Sequence, residues 1–146
     1  MKAKLLIVDD ETEIRDMLSR HFRYSGYEVD TAANGLEAME KLDASHIQVV
    51  ISDIVMPKMD GVELLRNIRQ QYPMIHTIMI TGYVTLENAL ACMRHGADTF
   101  IFKPLEDLDE LDQAVQQAVT SLKHWQDKLK ILRAMNPAVS GGCHGR

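Results

Sequence analysis

Short apolar runs alternate with stretches of helical period five times along the chain, a βα repeat. Strands are expected over Lys4 to Val8, Glu28 to Ala32, Gln48 to Ser52, Ile75 to Ile80 and Thr99 to Phe102. The runs Leu5-Leu6-Ile7-Val8, Val49-Val50-Ile51 and Ile78-Met79-Ile80 do not alternate, as parallel strands covered on both faces do not, so these strands should be central. The second strand sets Tyr27, Val29 and Thr31 against Glu28 and Asp30 and suits an edge. Between the strands, Ile14, Met17, Leu18 and Phe22, then Leu64, Leu65 and Ile68, then Leu86, Ala89, Leu90 and Met93 mark helices that cover the sheet. Gly26 and Gly96 stand where the first and fourth helices should close in a left-handed turn, Pro73 stops the third, and Asp60 with Glu63 reads as a capping box at its start. Strand-helix-strand crossovers in one parallel sheet are nearly always right-handed, so the expected fold class is α/β, an open doubly wound parallel sheet.

From Leu108 the apolar positions Leu111, Val115, Ala118, Leu122, Trp125, Leu129 and Leu132 keep a heptad rhythm. A helix from about Asp107 to Ala134 would be roughly 42 Å long, whereas a five-residue strand spans only about 17 Å. Its second half should overhang the sheet, leaving Leu122, Trp125, Leu129 and Leu132 exposed in a monomer. We therefore expect a body over 1–121, a helical extension over 122–136 and a disordered tail over 137–146, with Pro137 ending the helix. The overhang is expected to form a homodimer or to act as a signalling helix; a frayed tail is the plain alternative.

A chain of 146 residues with 46% hydrophobic and 25% charged residues fits one globular domain with an appendage. The net charge of −5 argues against direct nucleic-acid binding, which leans on a basic surface. Cys92 and Cys143 have no metal or redox spacing, so a reducing, cytoplasmic setting is expected, with Cys92 as buried bulk. The apolar run that follows Met1-Lys2-Ala3-Lys4 stops at Asp9, too short for a signal core or a membrane span. The six histidines show no ligand spacing and are assigned no chemistry.

The chemistry gathers at strand ends: Asp9 and Asp10 follow the first strand, Asp53 the third, Thr81 the fourth and Lys103 the fifth. In an open α/β sheet that edge binds ligands, especially where the winding reverses. Three carboxylates brought there repel by about 1 to 4 kcal/mol per pair at roughly 4 Å, so cations must offset them. Lys103 supplies one, and an all-oxygen cluster suits Mg²⁺. An aspartate so neutralised can attack a phosphoryl group and hold it as an acyl phosphate. The Thr81 hydroxyl could donate to a phosphoryl oxygen, and Gly82, with no side chain, lets its N–H approach closely.

Leu6-Ile7-Val8-Asp9-Asp10-Glu11, Ser52-Asp53-Ile54-Val55-Met56-Pro57-Lys58-Met59-Asp60-Gly61, Ile80-Thr81-Gly82 and Phe100-Ile101-Phe102-Lys103-Pro104 together resemble the receiver domains of two-component response regulators, over residues 1 to about 120. The resemblance implies a flavodoxin-like five-stranded sheet in the order 2-1-3-4-5 with five helices, the last one extended. It also implies Asp53 as phosphoacceptor, Mg²⁺ held by Asp10, Asp53 and the Val55 carbonyl with Asp9 partly through water, Lys103 paired with the phosphoryl group, and a cis Lys103-Pro104 bond. Thr81 would move toward the phosphoryl group and Phe100 turn inward, displaying the output face around helix four and strand five. Phe100 lacks the hydroxyl many relatives carry there, so an outward state held by that hydroxyl is unavailable. Val55 and Tyr83 occupy positions that tune loss of the phosphoryl group, and Val55 cannot orient a water, so slow autodephosphorylation is expected. The implied partner is a sensor histidine kinase or phosphotransfer protein, and the chain is a switch rather than an enzyme acting on an external substrate.

Each residue also has a plainer reading. Asp10 could simply cap a helix with Glu13, Thr81 could be a turn residue, Lys103 an exposed lysine and Phe100 a core aromatic. One phosphoryl site accounts for Asp9, Asp10, Asp53, Thr81 and Lys103 together. The competing functions are a Mg²⁺-dependent aspartyl-phosphate phosphatase, which in the haloacid-dehalogenase pattern needs a second aspartate where Val55 stands, and an unphosphorylated interaction scaffold.

Overall fold

The computed structural model describes residues 3–82 and 84–135; Tyr83 and the tail after Met135, with the expected helix stop at Pro137, lie outside the described residues. Strands β1 (Lys4–Val8), β2 (Glu28–Ala32), β3 (Val49–Asp53), β4 (His76–Thr81) and β5 (Thr99–Phe102) alternate with helices α1 (Thr12–Tyr24), α2 (Gly35–Ala44), α3 (Gly61–Gln71), α4 (Leu86–Arg94) and α5 (Asp109–Met135). The sheet is parallel throughout, in the order β2-β1-β3-β4-β5, so the non-alternating strands are central as expected. The third and fourth strands start and end one residue later than expected, which makes Asp53 and Thr81 their last residues.

Successive side chains of a strand point to opposite faces, and the core divides accordingly. Leu5, Ile7, Val49, Ile51, Ile78 and Ile80 pack with Leu18 and Phe22 of α1 and with Leu111 and Val115 of α5. Leu6, Val8 and Val50 pack on the other face with Ala38 and Leu42 of α2 and with Leu64 and Ile68 of α3. A third group, Ile54, Leu65, Met79 and Cys92, seats α4 with Phe100 partly buried against it. Burying a side chain such as Phe22 or Leu64 stabilises the fold by about 1.5–3 kcal/mol each. The helices are stopped and started as the sequence indicates: Gly26 and Gly96 take φ of 102° and 85°, and Asp60 Oδ1 accepts the Glu63 N–H at 2.9 Å.

Two expectations need correction. The stripe Leu86, Leu90, Met93 does not cover the sheet: Leu86 is 76% and Met93 64% exposed, while Cys92 is fully buried. Helix α4 is anchored instead through Cys92, which packs with Ile54, Leu65 and Met79, and the larger residues are left outside. Leu122 is also buried, because the segments entering β3 and β4, with Ile47, Pro73 and Ile75, reach below the sheet and line the same hollow of about 350 Å³ as Leu122. The exposed overhang of α5 thus begins beyond it, with Trp125, Leu129 and Leu132 each just over half exposed. The plainer reading of Asp10 as a helix cap falls away, because α1 starts at Thr12 with Glu11 in the capping position.

Candidate functional site

The winding reverses at β1, which has β2 on one side and β3 on the other, and the crevice there opens at the carboxyl ends of the strands. Asp9 and Asp10 follow β1, and Asp53 ends the neighbouring β3. Their carboxylates meet: one oxygen from each of Asp9, Asp10 and Asp53 lies within 4.8 Å of the others. Asp9 and Asp53 are buried and Asp10 is open to solvent.

Lys103 enters from the end of β5 and completes the cluster. Its Nζ stands 3.0 Å from Asp53 Oδ2, 3.0 Å from Asp9 Oδ2 and 2.8 Å from Glu11 Oε1. The loop that carries it is held by the Lys103 N–H, which donates to the Thr81 carbonyl at 2.9 Å, and the Lys103-Pro104 bond is cis. Burial alone would depress the Lys103 ammonium, but its contacts to Glu11, Asp53 and Asp9 outweigh that and hold it above the usual lysine range. Burial pushes the Asp9 carboxyl up, more than the Glu11 N–H and the Lys103 charge pull it down.

Both buried carboxylates are oriented by backbone donors. The Glu11 N–H donates to Asp9 Oδ1 at 2.9 Å, and the Ile54 N–H donates to Asp53 Oδ1 at 2.7 Å. Oδ2 of Asp53 is thereby left facing Lys103. Asp9 Oδ2 takes no hydrogen bond from any described residue, its ion pair with Lys103 lying off a hydrogen-bond direction. The Lys103 ammonium, 3.0 Å away, offsets the charge of this buried oxygen.

Of the other residues singled out in the sequence, Thr81 is buried at the end of β4 beside the site, and Gly82 follows it, exposed. A Cβ on Gly82 would stand 3.6 Å from Lys103 Cβ, an ordinary contact, so packing alone does not demand glycine there. Val55 is exposed at the mouth, and Phe100 lies across from Met79 in the β4–β5 register. Two contributors stand inside the quoted motifs with no role assigned to them there. Glu11 reaches Lys103 across the crevice. Gly61 starts α3 against the end of β3: its N–H donates to the Ile54 carbonyl at 2.7 Å, and a Cβ there would fall 2.2 Å from the Asp53 carbonyl oxygen.

Residues 5–116 match the family model of the response regulator receiver domain. The chain is 38% identical over 137 residues to the regulatory protein AtoC of Escherichia coli, covering 94% of this chain and 29% of that one. It is 36% identical over 122 residues to the DNA-binding transcriptional regulator NtrC of the same species, covering 84% of this chain and 25% of that protein. It thus spans between a quarter and a third of the length of these two relatives. Among solved structures, the response regulator protein TrrA of Thermotoga maritima, determined in complex with Mg²⁺ and BeF, superposes with a TM-score of 0.72 at 36% identity, covering 81% of this chain and 99% of that one.

Proposed function

Because the chain belongs to the response regulator receiver family, we propose that its acidic crevice is the phosphoryl site of this two-component switch, with Asp53 as the acceptor. The observation that carries the assignment is the position of Lys103 Nζ, 3.0 Å from both Asp53 Oδ2 and Asp9 Oδ2 inside the carboxylate cluster. The Ile54 N–H fixes Asp53 Oδ1, so the carboxylate presents its other oxygen beside the amine that receives the phosphoryl charge. Lys103 pairs with the incoming group, the Thr81 hydroxyl donates to one of its oxygens, and the Gly82 N–H approaches another. The resting switch keeps Phe100 against Ile54, Leu65, Met79 and Cys92, and movement of Thr81 draws it further inward.

The donor set fits Mg²⁺: it is all oxygen, with one carboxylate oxygen from each of Asp9, Asp10 and Asp53 within 4.8 Å of the others. Asp10, Asp53 and the Val55 carbonyl would hold the ion, with Asp9 partly through water. When bound, it offsets the charge of the carboxylates and of the phosphoryl group. The complex of the similar TrrA with Mg²⁺ and BeF supports this reading.

The phosphoryl group comes from a sensor histidine kinase or phosphotransfer protein, and the chain's own chemistry is limited to taking it up and losing it. Leu86, Leu90 and Met93 on α4 with Phe102 on β5 form an exposed apolar face suited to output. Within the chain, 1–121 form the receiver and the helix beyond Leu122 serves as dimerisation or signalling extension. The excess of acidic residues supports a reading in which nucleic acid is contacted by another module. No helix among the described residues is long and apolar enough to cross a membrane, and the reading places the switch in the cytoplasm.

The test is titration with beryllofluoride in the presence and absence of Mg²⁺, followed by amide spectra. Shifts around Asp53, Thr81 and Phe100 that require Mg²⁺ and vanish in Asp53→Asn are expected. Unchanged spectra of the folded protein would contradict the assignment.

A further inference from the structure

We propose that Glu11 is a specificity-determining residue of this site: it clamps Lys103 from the solvent side and adds a negative charge at the rim, favouring the divalent cation and disfavouring small anionic phosphodonors. The inference rests on the reading of Asp53 as acceptor and of the cluster as a cation site. Glu11 occupies the capping position of α1, yet its side chain makes no capping hydrogen bond. Its carboxylate, 60% exposed, instead turns to Lys103 and makes the shortest of that amine's three carboxylate contacts, 2.8 Å against 3.0 and 3.0 Å.

The charge balance gives this contact its consequence. Asp9, Asp10 and Asp53 bring three negative charges to the crevice, and Lys103 with a divalent cation would bring three positive ones. Glu11 adds a fourth negative charge at the rim, where the Arg15 guanidinium, 2.6 Å from the Asp9 carbonyl oxygen, brings one positive charge. Glu11 also competes for the amine, because Lys103 must share its donors between Glu11 and an arriving phosphoryl group. Being exposed at the rim, Glu11 acts through solvent-screened fields on whatever enters, so its effect should shrink as salt is raised. A cation gains from the extra charge, and a dianionic donor loses by it. A residue that merely supported the fold would move both in the same direction.

The experiment uses the full chain and Glu11→Gln, with Glu13→Gln as a control that removes the same charge from an exposed position in the first turn of α1. Calorimetric titration with Mg²⁺ alone, without any phosphodonor, should show affinity for Glu11→Gln lowered by roughly three- to tenfold at low ionic strength, the size expected for one unit charge near a divalent ion at a wet rim. At saturating Mg²⁺, uptake from acetyl phosphate should rise in the same variant by about threefold, less so from the less charged phosphoramidate, and both differences should fade at high salt. Glu13→Gln should stay within about twofold on both readouts. The proposal is overturned if Glu11→Gln leaves both quantities unchanged, lowers both, or is matched by Glu13→Gln. Wild-type protein that binds Mg²⁺ but takes no phosphoryl group from either donor would instead remove the acceptor reading, and this inference with it.

Discussion

Gly61→Ala places one methyl group where α3 meets the end of β3, and its cost can be worked from the contacts. The new Cβ would lie 2.2 Å from the Asp53 carbonyl oxygen and 2.7 Å from Ile54 Cα, both backbone atoms that cannot swing aside. Relief requires α3 and the loop before it to part by about 1 Å, an overpacking strain of about 1–3 kcal/mol. That shift also stretches the 2.7 Å hydrogen bond from the Gly61 N–H to the Ile54 carbonyl, at about 1–3 kcal/mol for groups shut away from water. The better helix propensity of alanine returns at most about 1 kcal/mol. The net loss is roughly 1–5 kcal/mol, a large part of the ~5–15 kcal/mol that holds a domain folded. In urea, followed by far-ultraviolet circular dichroism, the midpoint should fall by roughly 0.5–2.5 M for a slope of about 2 kcal/mol/M. Gly82→Ala is the comparison, since its Cβ would meet Lys103 carbons at 3.6 and 3.7 Å; its stability should stay within about 0.5 kcal/mol of wild type. An unchanged midpoint for Gly61→Ala, or an equal loss in Gly82→Ala, would refute this reasoning.

Three further outcomes are expected. Asp30 is raised by its partial burial but lowered more by the Lys41 ammonium, 2.9 Å away, together with the Thr31 N–H and the Lys4 charge, so its carboxyl sits below the usual aspartate value. A depressed folded-state value contributes stability above the unfolded-state value that is lost as pH falls through the folded one, so Lys41→Met should flatten the acid limb of the stability profile, by under about 1 kcal/mol after solvent screening; an unaltered limb would show that the pair contributes nothing. Val55 is 57% exposed but offers no polar atom from its side chain, so loss of the phosphoryl group should be slow and should quicken in Val55→Asn; a half-life of seconds for the wild type, with Mg²⁺ and no phosphatase, would contradict this. Sedimentation of the full chain should show self-association or a free overhang: if the overhang of α5 dimerises, Leu129→Asp abolishes the dimer while leaving the thermal midpoint within a few degrees, and monomeric wild type at high concentration would leave only the signalling role.

The parts of this molecule that were legible in its sequence are those set by local pattern. Continuous apolar runs gave away β1, β3 and β4 as central strands, and residues at the ends of strands necessarily share one edge of a parallel sheet, which brought Asp9, Asp53, Thr81 and Lys103 together. What escaped depended on the third dimension. Helix α4 offers two faces of similar apolar character, and its packing through Cys92 against Ile54, Leu65 and Met79 decided which of them is buried. Strand length underestimates the depth of the body, because the loops beneath the sheet, with Ile47 and Ile75, add to it and shelter Leu122. Glu11 reads as an ordinary surface acid, since its partner is 92 residues away. Nor does a sequence reveal that Gly61 lies almost against the Asp53 carbonyl, a distance set by how α3 packs.

Intact mass after incubation with acetyl phosphate and Mg²⁺ tests the whole account most directly. Wild-type protein should gain a single acid-stable, base-labile phosphoryl group, Asp53→Asn should gain none under conditions where it remains folded, and omission of Mg²⁺ should suppress the gain. An unmodified wild type, or an equal gain in Asp53→Asn, would contradict the central claim.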